Sequence, residues 1–357
     1  MNYALKPLFF AMTFPNSKNT ELSIQDSAVR SVWAVWLIFV ILTALIGDTI
    51  ILIASIKYKA IKLHGVIVVF IQHIAVGDVL VSLTWLLPCA MSLIANEWVF
   101  GDFLCYVRPY FSSWGYQAVS LFVCGMITCK LLVLKYPIRS VTWTEGHAHR
   151  LCVVMWILAL YWPPCMLTVE KDDVSFDYIP YTCDYEFSSH KNEWKFLQPI
   201  ATVLLNVVLN LVIVVTTVMI LVVARRVAKE ARRGLRWQGV MTVVLTAAAY
   251  SLSFVPMAVY RMALPLVEKD PSNKYAYMVP FYRVATSLLS VNVMSNFFIY
   301  SLTVTSFRNF LRLKGQQIMS CLFNIAPSQR KFASFKEGSD LILSPNLSII
   351  RSIDLKM

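Results

Sequence analysis

Five residues of this chain stand where ionisable or strongly polar groups are costly. Asp48, His73, Asp78, Lys130 and Asn296 each lie inside a long apolar run. Such groups mark ion or proton paths, buried switches or ligand contacts rather than packing. Lys130, in GMITCKLLVLKYPIRS, has no acid within four residues. Other chemistry is thinly represented. The five histidines are scattered, and the eight cysteines form no Cys-x-x-Cys pair or Cys/His cluster, so a zinc site is not indicated. No paired carboxylates or metal-ligand motif stand at catalytic spacing, so no enzyme is expected.

The elements that hold these residues are seven apolar blocks, at about 31–56, 66–95, 104–134, 151–169, 196–224, 240–266 and 277–304. The chain is 58% hydrophobic and only 15% charged, against about 25% charge in a soluble domain. A helix needs about 20 apolar residues to cross roughly 30 Å of hydrocarbon. Period-2 alternation is absent, which argues against a β-barrel, and only helices then satisfy the backbone in lipid. The expected fold class is an all-α membrane protein: a seven-transmembrane helix bundle with a short amphipathic eighth helix. Its parts are an extracellular N-terminus at 1–30, the bundle at 31–304, the eighth helix at 305–319 and a disordered cytoplasmic tail at 320–357. The stretch Leu8–Met12 is too short for a secretory core, so no cleaved signal is expected.

Charge orients the bundle. Lys57, Lys59 and Lys62 lie in the first loop, and Lys135, Arg139 and Arg150 in the third. The fifth, 225–239, holds six basic residues, including Arg236, against the single acid Glu230. The opposite loop at 170–195 carries seven acids against three lysines. The positive-inside rule puts the N-terminus outside and the C-terminus in the cytosol, at the plasma membrane. The net charge of +12 then needs no nucleic-acid partner; it is a cytosolic face that also meets anionic membrane lipid. Lys130 falls at the cytosolic end of the third helix, where its plain role is a side chain that snorkels to the headgroups.

The stretch NEWVFGDFLC resembles the Trp-x-Phe-Gly…Cys signature of rhodopsin-like (class A) G-protein-coupled receptors, through Trp98, Phe100, Gly101 and Cys105. The resemblance covers about residues 31–320. Asp78 matches the second-helix aspartate, Trp156 the fourth-helix tryptophan and Pro256 the sixth-helix kink proline. Several landmarks are altered. Phe254 stands where a tryptophan is usual, and NFFIY, ending at Tyr300, replaces the proline of Asn-Pro-x-x-Tyr by Phe297. The Asp-Arg-Tyr triplet is here Cys129-Lys130-Leu131, and the acid usual at the start of the sixth helix is Arg236. Both halves of the ionic lock that restrains the family's inactive state are therefore missing. Lysine also lacks arginine's planar fork. High basal signalling, or atypical or lost coupling, would follow unless packing holds the switch instead.

The resemblance implies further sites. Cys105 and Cys183 match the family's outer disulfide. A ligand pocket would take Arg108, Ser112, Tyr116 and Gln117 from the third helix. The sixth would add Phe254, Met257 and Arg261, and the seventh Tyr282, Arg283 and Thr286. Ser112 stands where amine receptors carry an aspartate, and Ser290 where opsins carry the retinal lysine, which speaks against both ligand classes. Arg108, Arg261 and Arg283 near the pocket mouth suit either an anionic small ligand or pairing with the outer-loop acids, whereas those acids would attract a basic peptide.

Asp48 stands where the family has an asparagine near Asp78, so the two carboxylates are expected close together. They then share a proton, or a sodium ion neutralises them with Asn292 and Asn296. Val119 replaces a serine that often helps such a sodium site. Cys321, after the basic and apolar stretch SFRNFLRLK, is a palmitoylation candidate. The function expected is a receptor that binds an extracellular peptide or anionic ligand and signals to a heterotrimeric G-protein, with arrestin as a further partner. The alternative is an ion or solute transporter that uses Asp48 and Asp78.

Overall fold

The computed structural model describes residues 18–61, 63, 65–136, 143–161, 174–177, 181–185, 193–230, 237–267 and 279–322. Eight helices and one hairpin are present among them. The helices are α1 (Lys18–Ile56), α2 (Gly65–Ala95), α3 (Gly101–Lys135) and α4 (Glu145–Tyr161), then α5 (Glu193–Glu230), α6 (Trp237–Val267), α7 (Val279–Thr303) and α8 (Thr305–Leu322). Strands β1 (Val174–Asp177) and β2 (Thr182–Tyr185) lie between α4 and α5 and pair antiparallel, with Phe176 opposite Cys183.

Six of the helices contain segments long and apolar enough to cross a membrane: Ser27–Ile56, Gly65–Ala95, Gly101–Lys135, Leu204–Lys229, Trp237–Met262 and Pro280–Thr303. They coincide with six of the seven apolar blocks. The fourth block is only partly described: α4 starts at Glu145, six residues before the block, because its polar first turns stay helical. Its end, to 169, lies outside the described residues. Helix also begins well inside the segment 1–30, at Lys18. The all-α expectation needs one correction, the β1–β2 hairpin, whose four-residue strands were too short to stand out in a mixed polar loop.

Helix α3 is the centre of the packing, in contact with α2, α4, α5 and α6, while α7 packs on α1 and α6. Small residues set the closest approaches. A Cβ at Gly47 would stand 2.8 Å from the Cβ of Phe297, so α1 and α7 meet there. Phe297 takes the place of a proline, keeps its backbone N–H, and α7 runs unbroken through it. Val119 fills the space over Gly77 in the same way. Outward faces stay apolar: Val35, Phe39 and Leu42 on α1, and Leu204, Val208, Leu211 and Val215 on α5, are exposed. That pattern suits lipid rather than water.

Helix α2 carries a π turn at Ser82–Leu86, in which the Leu87 N–H reaches the Ser82 carbonyl. Pro88 follows, and its ring would crowd the carbonyl four residues back in a regular helix. The wider turn relieves that clash and aims Trp85 at Tyr116, ring centroids 5.3 Å apart. At the outer end, Asn96 and Gly101 adopt left-handed φ values of 62° and 75°, and Trp98 Nε1 donates to the Gly101 carbonyl. Two compact units divide the chain, 1–308 and 309–357. In the first, Phe307 is buried edge-on to Phe297, and Arg308 is exposed. In the second, Phe310 is buried, Arg312 is exposed, and Lys314 donates to Gln317.

Candidate functional site

At the outer end, Cys105 and Cys183 form a disulfide with Cα atoms 5.2 Å apart. Arg108, one turn further along α3, donates from Nη1 to the Cys183 carbonyl at 2.8 Å and is buried. The hairpin is thus held twice to α3. Arg108 is committed to a backbone contact here rather than turned solely toward a ligand. Arg283 has its own neighbour, the Trp33 ring of α1, 5.7 Å from the guanidinium carbon. Arg261 lies on an exposed stretch of α6. The acids of the outer loop expected to pair with these arginines lie outside the residues whose side chains are described.

Below this level the helices pack an aromatic cluster. Tyr282 meets Trp33 edge-on at 6.2 Å and Tyr260 at 4.9 Å. Tyr282, Met257, Tyr260 and Trp85 belong to one buried cluster against which Tyr116 packs. Ser112 and Gln117 are buried, and Ser112 donates to the Pro109 carbonyl. The hydroxyls of Tyr116 and Thr286 are buried without a hydrogen-bond partner among the described residues. Buried hydroxyls are normally satisfied, so both are polar groups that this packing leaves unpaired. Phe254 lies further in, stacked on Tyr250 with ring centroids 6.1 Å apart and 9° between planes.

The middle of the bundle holds the carboxylates. Asn296 donates from Nδ2 to Asp78 Oδ2 at 2.6 Å, and the Tyr300 hydroxyl lies 3.4 Å from Asn296 Oδ1. Asp48 and Asp78 are each 1% exposed, and the charge of Asp78 acts on Asp48. Oδ2 of Asp48 has no partner among the described residues. Asn292 is buried on the same helix as Asn296. Val119 contributes no oxygen. The donors that could hold a small cation are therefore the two carboxylates and the two asparagine amides. A proton shared between the carboxylates fits the orphaned oxygen equally well.

At the inner end Lys130 is 9% exposed, and among the described residues it has neither an ion pair nor a hydrogen bond. Its Nζ lies over Gly239, 3.2 Å from where a Cβ would be. Cys129 is buried and Leu131 half-buried beside it. Arg236 lies outside the described residues, as does the side chain of Cys321. Pro256 sits within a continuous α6. Tyr300 is 1% exposed.

Two clusters were not singled out from the sequence. In one, Trp156 Nε1 donates to His73 Nδ1, whose Nε2 faces His149 Nδ1 at 3.3 Å, which ties α2 to α4. In the other, Gln238, Thr242, Thr246 and Tyr250 recur every four residues along α6, and Gln238, Thr242 and Tyr250 each have a partner on another helix. That period was legible; the partners were not.

Residues 47–300 match the family described as 7 transmembrane receptor (rhodopsin family). Among curated proteins, the chain is 20% identical to a QRFP-like peptide receptor of Branchiostoma floridae over 42% of this chain and 39% of that protein. It is 22% identical to the pyroglutamylated RF-amide peptide receptor of Rattus norvegicus, over 87% of this chain and 73% of that protein. To C-C chemokine receptor type 1 of Homo sapiens it is 25% identical over 50% of this chain and 48% of that protein. The chain thus spans about two fifths of the length of the first of these relatives and about half of the last. None of these matches supports transport.

Proposed function

Because the chain belongs to the rhodopsin family of seven-transmembrane receptors, we propose that it is a plasma-membrane receptor for an extracellular peptide that signals through a heterotrimeric G-protein. In this account α4 is completed as a seventh span, the N-terminus is outside, and the C-terminus is cytosolic. Helix α8 then lies along the inner leaflet with its arginines toward the headgroups, and the tail is a docking site for arrestin. Cys321, at the end of α8, is acylated.

The observation that carries the ligand proposal is the build of the outer end. A doubly tethered hairpin adjoins an aromatic cluster with two orphaned hydroxyls, Tyr116 and Thr286, and Arg261 follows Tyr260 on α6. Aromatic walls with a few placed polar groups suit a ligand that is partly apolar and carries one acceptor or anionic group. A peptide reaching down with such an end satisfies this, and the names of the relatives point the same way. An anionic small molecule is the second candidate, favoured by the arginine.

Ligand and transducer are linked by population shift. A ligand that prefers the arrangement with α6 displaced favours the form that the G-protein binds, and the converse holds. Screening peptide and carboxylate libraries on cells with parallel G-protein and arrestin reporters tests the proposal. A peptide hit whose response Arg261→Ala or Tyr116→Phe weakens at least ten-fold is expected. Hits that both variants leave unchanged would remove this cluster as the ligand site.

A further inference from the structure

We propose that a polar seam along the inward face of α6 is the brake on the receptor, in the role left empty at Lys130. The inference rests on the proposal that signalling requires α6 to move.

Gln238, Thr242, Thr246 and Tyr250 are spaced four apart, so they line one face of α6 with a slow drift around the axis. Gln238 Nε2 donates to Thr305 Oγ1 at the start of α8. Thr242 Oγ1 and Thr303 Oγ1 of α7 are 2.8 Å apart. Tyr250 and Ser120 of α3 are hydrogen-bonded at 2.5 Å, while Thr246 donates to the Thr242 carbonyl within α6. Helix α6 is thus fastened to α7 at its inner end and to α3 at mid-depth.

The direction of one bond follows from proton count. Ser120 donates its only proton to the Tyr116 carbonyl at 2.8 Å, so the Tyr250 hydroxyl donates to Ser120. Tyr116 packs on the outer aromatic cluster, and Tyr250 stacks on Phe254. The deep end of the seam therefore touches that cluster. Thr242, Tyr250 and Ser120 are 0–3% exposed. Water cannot replace their bonds without the helices parting. Gln238, by contrast, is exposed. The seam grades from a solvent-reachable inner end to a dry deep end, so opening starts at the cytosolic side and is completed at Tyr250.

Around Lys130 the restraint is different in kind. Gly239 gives the lysine room against α6, and no acid among the described residues holds it. An outward swing of α6 costs no ion pair there, and the hydrogen bonds of the seam are what it must break. Interhelical hydrogen bonds in membranes are individually weak, each changing an open-to-closed ratio about three-fold. Several in register therefore make a brake that a ligand can release.

The test uses the full chain in lipid nanodiscs with spin labels on cysteines introduced at Tyr136 and Trp237; the chain without these cysteines sets the background. Distance distributions between the labels report the α3–α6 separation without any G-protein. Thr242→Val keeps shape and deletes the hydroxyl that meets Thr303. It is expected to raise the long-distance population about three-fold, while Thr242→Ser stays as wild type. Tyr250→Phe, which removes one oxygen, is expected to raise it about three-fold as well and carries the test should the valine variant not fold. Distributions unchanged in folded valine and phenylalanine variants would overturn the brake. Nucleotide exchange on added G-proteins separates the two proposals. Longer distances without exchange keep the brake and remove the coupling proposal; exchange at unchanged distances does the reverse.

Discussion

Lys130 and Gly239 meet where the inner ends of α3 and α6 approach, and the lysine Nζ lies 3.2 Å from the position of a Cβ on the glycine. The contact is one of accommodation. A buried cation without an acid beside it needs space and a route to the headgroups, and a glycine on the facing helix provides the space. Arginine in its place would bring a wider, planar head to the same gap.

Substitution at Gly239 should therefore split by size. Alanine removes the helical cost of glycine, about 1 kcal/mol, and its Cβ displaces only the flexible tip of a lysine. Gly239→Ala is expected to raise the melting midpoint of detergent-solubilised protein. Gly239→Leu must push Lys130 aside, so it should lower the midpoint and raise basal output. A midpoint that falls equally in both would show the lysine to be held rigidly.

Asp48 is the second case. Its Oδ2 is buried without a partner while Asp78 is bound by Asn296. Leaving a buried polar oxygen without a partner costs about 1–3 kcal/mol, so Asp48→Asn is expected to stabilise the fold by at least about 1 kcal/mol, measured by thermal unfolding. The shared-proton proposal adds that wild-type output changes with pH and that Asp48→Asn flattens the change. An unaltered pH profile in the variant would rule that out.

The hairpin tether gives a third expectation. Arg108 donates to the Cys183 carbonyl, and hydrogen bonds from charged donors contribute about 1.5–3 kcal/mol. Arg108→Ala should loosen the hairpin and lower surface expression, less severely than Cys183→Ser, whose lost bridge costs about 2–5 kcal/mol. Flow cytometry on an N-terminal tag ranks the two. Equal expression of Arg108→Ala and wild type would mean that the disulfide alone fixes the hairpin.

Six of the apolar blocks and the membrane helices agree in place because lipid demands long apolar segments, and that demand is written in composition. The ends were less legible: the first turns of α4, from Glu145 to Arg150, are polar and still helical. The Cys105–Cys183 bridge was anticipated by resemblance; the Asn296–Asp78 bond was not, since Asn296 was read only as an oxygen donor to a sodium ion. The π turn before Pro88 was not, since a proline inside an apolar run signals strain without saying how the helix absorbs it. The α6 seam shows the general limit. A four-residue spacing of Gln, Thr, Thr and Tyr reveals a face, but Thr303 and Ser120 come from helices that only the packed bundle brings together.

The account stands on an odd number of crossings. Among the described residues six spans are long and apolar enough by themselves, and the receptor proposal needs α4 as the seventh. Epitope tags on the two termini, stained in intact and then permeabilised cells, count the parity directly. The account predicts the N-terminal tag accessible in intact cells and the C-terminal tag only after permeabilisation. Both tags on one side would contradict it.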